Sequence, residues 1–275
     1  MVLLVAALPL FAQVADGDRE YAARATGARG AHAAAAPIDA AIAAYQRAIA
    51  QNANDVEAHG RLLRAYRFKG AYVAATNEDK KKIYAIAKSA GEKALGVVGR
   101  ALTARGVKPD ASEKTVAAAA RAIPGAGEVY LWDAINWGEW ALAYGKMAAA
   151  RQGAADRIRR EATIAHLIDP ALEYGSPSRV LGRLHEQTPR IPFLTGWASS
   201  KEAVRFLEES LKLDATNKLT MVFLAEALIA NDSAKKPRAV QLLRTVLSTP
   251  VHPELAVEDV AAMDDARALL RKWGA

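Results

Sequence analysis

A recurring register of small and large residues is the feature that most limits what this chain can fold into. Ala41, Tyr45 and Ala48 set a ring between two alanines at helical spacing, and Leu62 and Tyr66 follow where a partner helix would present its own large residues. The pattern returns near the other end. Ala203, Leu207 and Ser210 repeat it, Leu224, Ala225 and Leu228 follow in the same register, and Ala239, Leu243 and Val246 supply one more helix before Pro250. Small residues let helix axes approach, and large ones fill the groove between them. The same register assigns Gly70 to the turn between two helices.

Helix pairs repeating at about 34 residues are the signature of the tetratricopeptide unit. Helix pairs of no repeat family are the alternative. Composition favours helix, because alanine dominates a hydrophobic fraction of 52% and is the strongest helix former. The 275 residues suffice for one repeat array. The sequence therefore predicts an all-α protein, with tetratricopeptide-like helix pairs forming a compact α–α superhelical domain over residues 16–275. Between the two patterned stretches, helices are expected at 80–105, 112–122, 129–151 and 156–168, and a terminal helix at 257–273. Residues 188–199 carry two prolines and a glycine and read as a loop. Gly96 and Gly99 fall inside a helix and read as sites of close helix packing.

The first residues read differently. Val2 to Ala12 form an apolar run too short to span a membrane. It resembles the core of a signal peptide, assigned to residues 1–15; cleavage after Ala12 is expected although Leu10 is larger than the small residue usual there, so that the mature chain begins near Gln13. The chain has no cysteine, which excludes disulfides, thiolate metal sites, a cysteine nucleophile and a lipidated amino-terminal cysteine. The net charge of +7 comes from mixed charges, read as a solvated surface with no nucleic-acid partner.

Catalytic motifs are missing. No two of His32, His59, His166, His185 and His252 have metal-ligand spacing, and HExxH, GxSxG and the phosphate loop are absent. The expectation is no enzyme, no metal and no cofactor. Two segments stand out instead. In the aromatic stretch 130–144, Tyr130, Trp137 and Tyr144 share a helical face, with Trp132, Asn136 and Trp140 on neighbouring positions. Such a helix either is enclosed by other helices or lines a ligand cavity, since Trp and Tyr combine apolar area with a polar handle. In the second segment, Gly175 and Pro177 turn the chain sharply into a helix on which Arg179 and Arg183 share a face. Two guanidinium groups could hold a carboxylate, or could pair with carboxylates of a neighbouring helix.

At these segments the chain resembles the T component associated with tripartite ATP-independent periplasmic (TRAP) transporters. The resembling pieces are 39–45, 80–95, the aromatic helix 130–140, Tyr174-Gly175-Ser176-Pro177-Ser178-Arg179-Val180-Leu181-Gly182-Arg183-Leu184, and 215–218 leading into 222–226. The resemblance covers nearly everything after about residue 20. It departs in lacking a cysteine to lipidate and in carrying Ser176 where the family has a second glycine. The resemblance implies an exported, non-enzymatic periplasmic accessory subunit, soluble and not lipidated. Its partner would be a transporter's substrate-binding protein, and it would enclose a path for a small hydrophobic or carboxylate ligand. Assembly as a homo-oligomer is a further expectation. Tyr130, Asn136, Trp137, Trp140, Tyr174, Arg179 and Arg183 are the candidate ligand-binding residues. The rival reading is a general tetratricopeptide scaffold binding other proteins in its concave groove.

Overall fold

The structure, a computed structural model, describes residues 10–191 and 195–275. The signal-peptide reading falls largely on residues before these. In chain order the helices are α1 (Leu10–Ala22), α2 (Ala35–Gln51), α3 (Val56–Tyr72), α4 (Asn77–Thr103), α5 (Glu113–Ala120), α6 (Ala126–Tyr144) and α7 (Lys146–Arg151). They continue with α8 (Ala154–Ile168), α9 (Leu172–Gln187), α10 (Ser200–Leu213), α11 (Lys218–Asn231), α12 (Lys236–Ser248) and α13 (Ala256–Trp273). Among the described residues there is no strand, and no helix is long and apolar enough to cross a membrane.

Pairing follows the repeat. Helix α1 packs on α2, α3 on α4, α6 on α8, α9 on α10 and α11 on α12, while α5 packs against α8 and α7 follows α6. The first helices of successive pairs also touch, α3 with α6, α6 with α9 and α9 with α11, so they form the inner layer of a superhelix. The second helices form its outer layer.

Local chemistry sets the helix boundaries. Asp55, Thr76, Ser112, Ser199 and Asn217 each accept a hydrogen bond from a first-turn backbone N–H, satisfying donors that the helix itself leaves open. The expected helix over 129–151 is two helices, because Gly145 at φ 91° breaks it between α6 and α7. Only glycine takes that conformation at little cost.

The register residues are buried as their spacing requires: Ala41, Tyr45, Leu62, Leu207, Leu224, Leu228 and Leu243 all lie in the core. Two of them, Tyr45 and Leu207, pack against a glycine, as does Tyr84 of α4. A Cβ on Gly17 of α1 would stand 2.4 Å from the Tyr45 ring of α2, one on Gly70 of α3 2.5 Å from the Tyr84 ring of α4, and one on Gly182 of α9 2.6 Å from Leu207 of α10. Gly70 is therefore a crossing point inside α3 and not an inter-helix turn. The reading of Gly96 and Gly99 also changes. A Cβ on Gly99 would meet nothing within 4 Å, and one on Gly96 only the Arg100 guanidinium at 3.8 Å. The glycine of α4 that is packed is Gly91, whose Cβ would lie 1.6 Å from Asp133 Oδ1 of α6.

The last helix is fastened by a buried ion pair. Lys218 Nζ, at the start of α11, donates to Asp259 Oδ2 at 2.9 Å and to the Pro250 carbonyl at 2.6 Å. Asp259 Oδ2 also accepts from His252 N at 2.8 Å. These bonds turn the first residues of α13 inward. There Val257 is buried among Tyr21, Phe68 and Tyr72 of the first two pairs.

The two kinds of α4 glycine make opposite predictions. Gly91→Ala must displace Asp133 and should destabilise the protein by about 1–3 kcal/mol, the usual cost of overpacking. Gly99→Ala should stabilise it by about 0.5–1 kcal/mol through helix propensity alone. Urea unfolding of both variants beside the parent checks the pair; equal effects would remove the packing role of Gly91.

Candidate functional site

The inner layer presents charged side chains where a repeat core would ordinarily be apolar. Arg61, Arg64 and Arg67 recur at three-residue spacing along α3 and so follow one side of it. Arg61 pairs with Asp18 of α1 at 3.1 Å and donates through Nη1 to Glu128 Oε2 of α6 at 2.6 Å. Arg64 reaches Glu173 of α9 at 3.2 Å and Asp18 at 3.7 Å. Arg67 Nε lies 3.3 Å from Glu139 of α6, and its Nη1 donates to the Tyr72 hydroxyl at 3.0 Å. Arg24, just beyond α1, donates to Glu258 of α13 at 2.9 Å and also to the Glu254 carbonyl. Bonds from α3 to α9 and from Arg24 to α13 cross the interior, so these residues line the inside of the superhelix. Aromatic rings back them. The Arg64 guanidinium lies 4.0 Å from the Tyr21 ring centre, and that of Arg24 lies 4.4 Å from the same ring. Burial pushes the Tyr21 hydroxyl up to about 12, partly opposed by Arg24 and Arg64, so it stays a neutral donor at neutral pH.

At the far side of this interior the backbone departs from helix. Glu173, Tyr174 and Gly175 have φ of 47°, 60° and 73° in succession, a left-handed turn ahead of the regular part of α9. Two of the three are not glycine, and each such residue costs about 1–3 kcal/mol. Contacts on the inner wall hold the turn. The Glu173 carboxylate takes the Arg64 bond, and the Tyr174 hydroxyl donates to Glu254 Oε2 at 2.6 Å. Arg179 donates through Nη1 to the Tyr174 carbonyl and to Thr220 Oγ1, both at 3.2 Å, and more weakly to the Glu173 carbonyl at 3.5 Å. Gly175 is required for space as well as for φ, since a Cβ there would lie 3.1 Å from the Ser210 carbonyl.

Tyr174 and Arg179 thus meet on the inner wall. Arg183, one turn further along α9, does not join them: it pairs with Glu186 and Glu226, each at 2.8 Å, and stacks on Phe223. The aromatic helix lies elsewhere. Trp137 and Trp140 are 3% and 4% exposed and pack with Tyr84, Ile158, Leu181 and Leu184. Lys88 and Arg157 lie 4.2 and 4.5 Å from the Trp137 ring centre. Tyr130 is buried in the neighbouring cluster with Val129 and Leu131. Asn136 is wholly buried and donates to the Leu63 carbonyl at 3.0 Å, tying α6 to α3. Two surface hollows of about 360 and 410 Å³ are lined by none of the seven residues nominated from sequence. Sequence reasoning missed Arg24, Arg64, Arg67 and Glu258. The three-residue arginine spacing in α3 was the available signal.

Two further polar groups are structural. Ser178 Oγ lies 3.1 Å from His166 Nδ1, and His166 Nε2 lies 3.6 Å from Glu209, an order that resembles a hydrolytic triad. Ser178 is fully buried, so its hydroxyl is closed to any substrate. Between α6 and α8, Arg157 serves two carboxylates, Asp133 at 2.9 Å and Glu161 at 2.9 Å. One guanidinium for two buried acids leaves a negative charge to neutralise. Burial, with Asp133 beside it, raises the Glu161 carboxyl well above its ordinary range. Among the described residues no group of three or more His, Cys, Asp or Glu side chains could hold a metal ion.

No protein-family model matches the chain, and no curated protein matches it.

Two measurements probe these assignments. Trp137→Ala should destabilise the protein by about 3–5 kcal/mol, as expected for a large buried aromatic; a variant with near-parental thermal stability would favour a ligand-lining role for Trp137. For Glu161, a carboxyl pKa raised by folding gives stability that is full below the ordinary value of 4.5 and lost as pH rises through the native value. Glu161→Gln should therefore flatten the decline in stability above that range. Parallel parent and variant curves in urea unfolding across pH would show that folding does not raise the Glu161 carboxyl.

Proposed function

We propose that this protein is an exported, non-enzymatic accessory subunit of a TRAP-type transporter. It partners the transporter's substrate-binding protein and holds a small ligand inside its superhelix. The observation that carries the reading is the left-handed turn Glu173–Tyr174–Gly175, held on the inner wall together with Arg179. It leads into the segment 175–183, which with the aromatic helix is the most specific part of the resemblance to the T component. Strain retained in a turn that several polar partners hold is the kind of local cost that binding sites keep. The rival scaffold reading needs an open concave groove for another protein. Here the start of α13 occupies that groove, with Glu258 on Arg24 and Val257 among the inner rings.

The test is a pull-down from periplasmic extract with the tagged full chain, followed by mass spectrometry of proteins and of small molecules. Recovery of a TRAP-type substrate-binding protein from the periplasmic fraction is expected. Recovery of none, or confinement of the protein to the cytoplasm, would overturn the proposal.

A further inference from the structure

The inner helices run parallel, and that fixes where the turns fall. Along α3 and α6, Arg61 meets Glu128, Leu63 meets Asn136 and Arg67 meets Glu139. The same order holds where Asp18 and Tyr21 meet Arg61 and Phe68 of α3, and where Arg179 and Arg183 of α9 meet Thr220 and Glu226 of α11. Between α6 and α9, Gly127 lies near Leu172, and Trp140 clusters with Leu181 and Leu184. The turns that follow the inner helices, 23–34, 73–76, 145–153, 188–191 and 232–235, therefore gather on one rim of the superhelix. The end of α13 joins them, since Lys236 at the start of α12 donates to the Trp273 carbonyl at 2.6 Å.

Charge divides between the two rims. On this one the turns carry Arg29, Lys146, Arg151, Arg190 and Lys235, none of them in an ion pair among the described residues, beside the buried Arg24; Asp232 is the one carboxylate in these turns. Helix ends add Lys80, Lys82, Lys201, Arg271 and Lys272. The carboxylates at the adjoining helix starts are engaged: Glu78 pairs with Lys81, Asp156 with Arg159 and Glu202 with Arg205, while Asp79 accepts from the Thr76 hydroxyl. Connections on the opposite rim carry Arg105, Lys108 and Arg121 against Asp55, Asp110, Asp169, Asp214 and Glu254. Apolar side chains also protrude on the basic rim. Leu142 in the last turn of α6 is 72% exposed and Met147 in α7 is 71% exposed, the two highest values for large apolar residues among those described; Tyr144 and Ile191 are exposed as well. Helix α7 buries none of its residues, and no carboxylate occurs from 140 to 155.

We infer that this rim docks reversibly on an anionic lipid surface, with Leu142 and Met147 entering the bilayer interface and Lys146 and Arg151 on lipid phosphates. The inference goes beyond the transporter reading and does not rest on it. Apolar side chains that stand singly among cations suit a soft anionic surface, where hydrocarbon takes the one kind and headgroups the other. Tyr144, stacked on Trp140 at 4.8 Å, adds a ring of the type enriched at headgroup level. A folded protein partner needs a broad, closely packed face, whereas most other positions of α7 are alanines. A nucleic acid would use the cations and leave Leu142 and Met147 in water.

The experiment is co-sedimentation of the full chain with vesicles of phosphatidylglycerol and phosphatidylcholine, beside vesicles of phosphatidylcholine alone. Binding should require phosphatidylglycerol and weaken about tenfold or more as sodium chloride rises from about 0.1 to 0.5 M. Leu142→Gln with Met147→Gln should weaken it about 10- to 100-fold through lost apolar burial, and Lys146→Gln with Arg151→Gln about tenfold or more. Leu213→Gln and Lys108→Gln, exposed on the opposite rim, should leave it unchanged. If the first pair does not fold, the cysteine-free chain offers a second measurement: an environment-sensitive fluorophore on Met147→Cys should shift to the blue with phosphatidylglycerol vesicles, and one on Leu213→Cys should not. Equal binding to phosphatidylcholine alone, or unchanged binding by the folded apolar pair, would overturn the inference. So would equal loss of binding to vesicles and to a soluble polyanion such as DNA on charge removal, with the apolar pair silent. Self-association without vesicle binding, abolished by Leu142→Gln with Met147→Gln, would assign the rim to a second copy of the chain and overturn it too.

Discussion

Close approach of paired helices is the constraint on which the rest of the structure depends. At three crossings the approach is made by a residue with no side chain: Gly17 receives the Tyr45 ring, Gly70 the Tyr84 ring and Gly182 the Leu207 side chain. Glycine inside a helix costs about 1 kcal/mol relative to alanine. Here that cost is offset by burying a ring or branched side chain against backbone, worth about 1.5–3 kcal/mol each. The crossings set the separation of inner and outer layers. With large apolar residues seated between the layers, the inner surface is left to long polar side chains. The α4–α6 crossing applies the same rule to a charged residue, with Gly91 making room for Asp133 and Arg157 answering it from α8.

The inner wall is therefore polar, and its polarity does mechanical work. Arg64 pulls on Glu173, Glu254 on Tyr174, and Arg179 on the carbonyls of both. Hydrogen bonds to charged groups are worth about 1.5–3 kcal/mol each. That scale matches the strain of two non-glycine residues in left-handed conformation, so the turn persists because several partners hold it at once. Removing any one of them would loosen the geometry that presents Arg179.

The small–large–small register at Ala41–Tyr45–Ala48 and Ala203–Leu207–Ser210 made the helix pairs legible, because burial repeats with the helix period. The glycines that complete the crossings were harder to read. A lone glycine in a helical run looks like a turn, which is how Gly70 was placed, and its meaning depends on a ring contributed by another helix. Gly96 and Gly99 invited the opposite error, since spacing alone cannot tell a packed glycine from an exposed one. The aromatic helix drew attention through density. Density reports burial, and Trp137 and Trp140 are where density alone would put them. Arg179 was legible from its helical face. Its separation from Arg183 was not, because Glu226, which claims Arg183, lies 43 residues away in sequence.

A repeat array ordinarily behaves as a one-dimensional stack, in which each unit knows only its neighbours and the ends fray first. The contact between Arg24 and Glu258 changes that, because it joins residues 234 positions apart and turns the stack into a loop. Closing so long a loop is entropically late, so the contact belongs to the end of folding. Once made, it ties the first pair of helices to the last helix, so unfolding of either is resisted by the other. The molecule should melt as a single cooperative unit, and motions of its first and last helices are mechanically linked through the interior that both of them border.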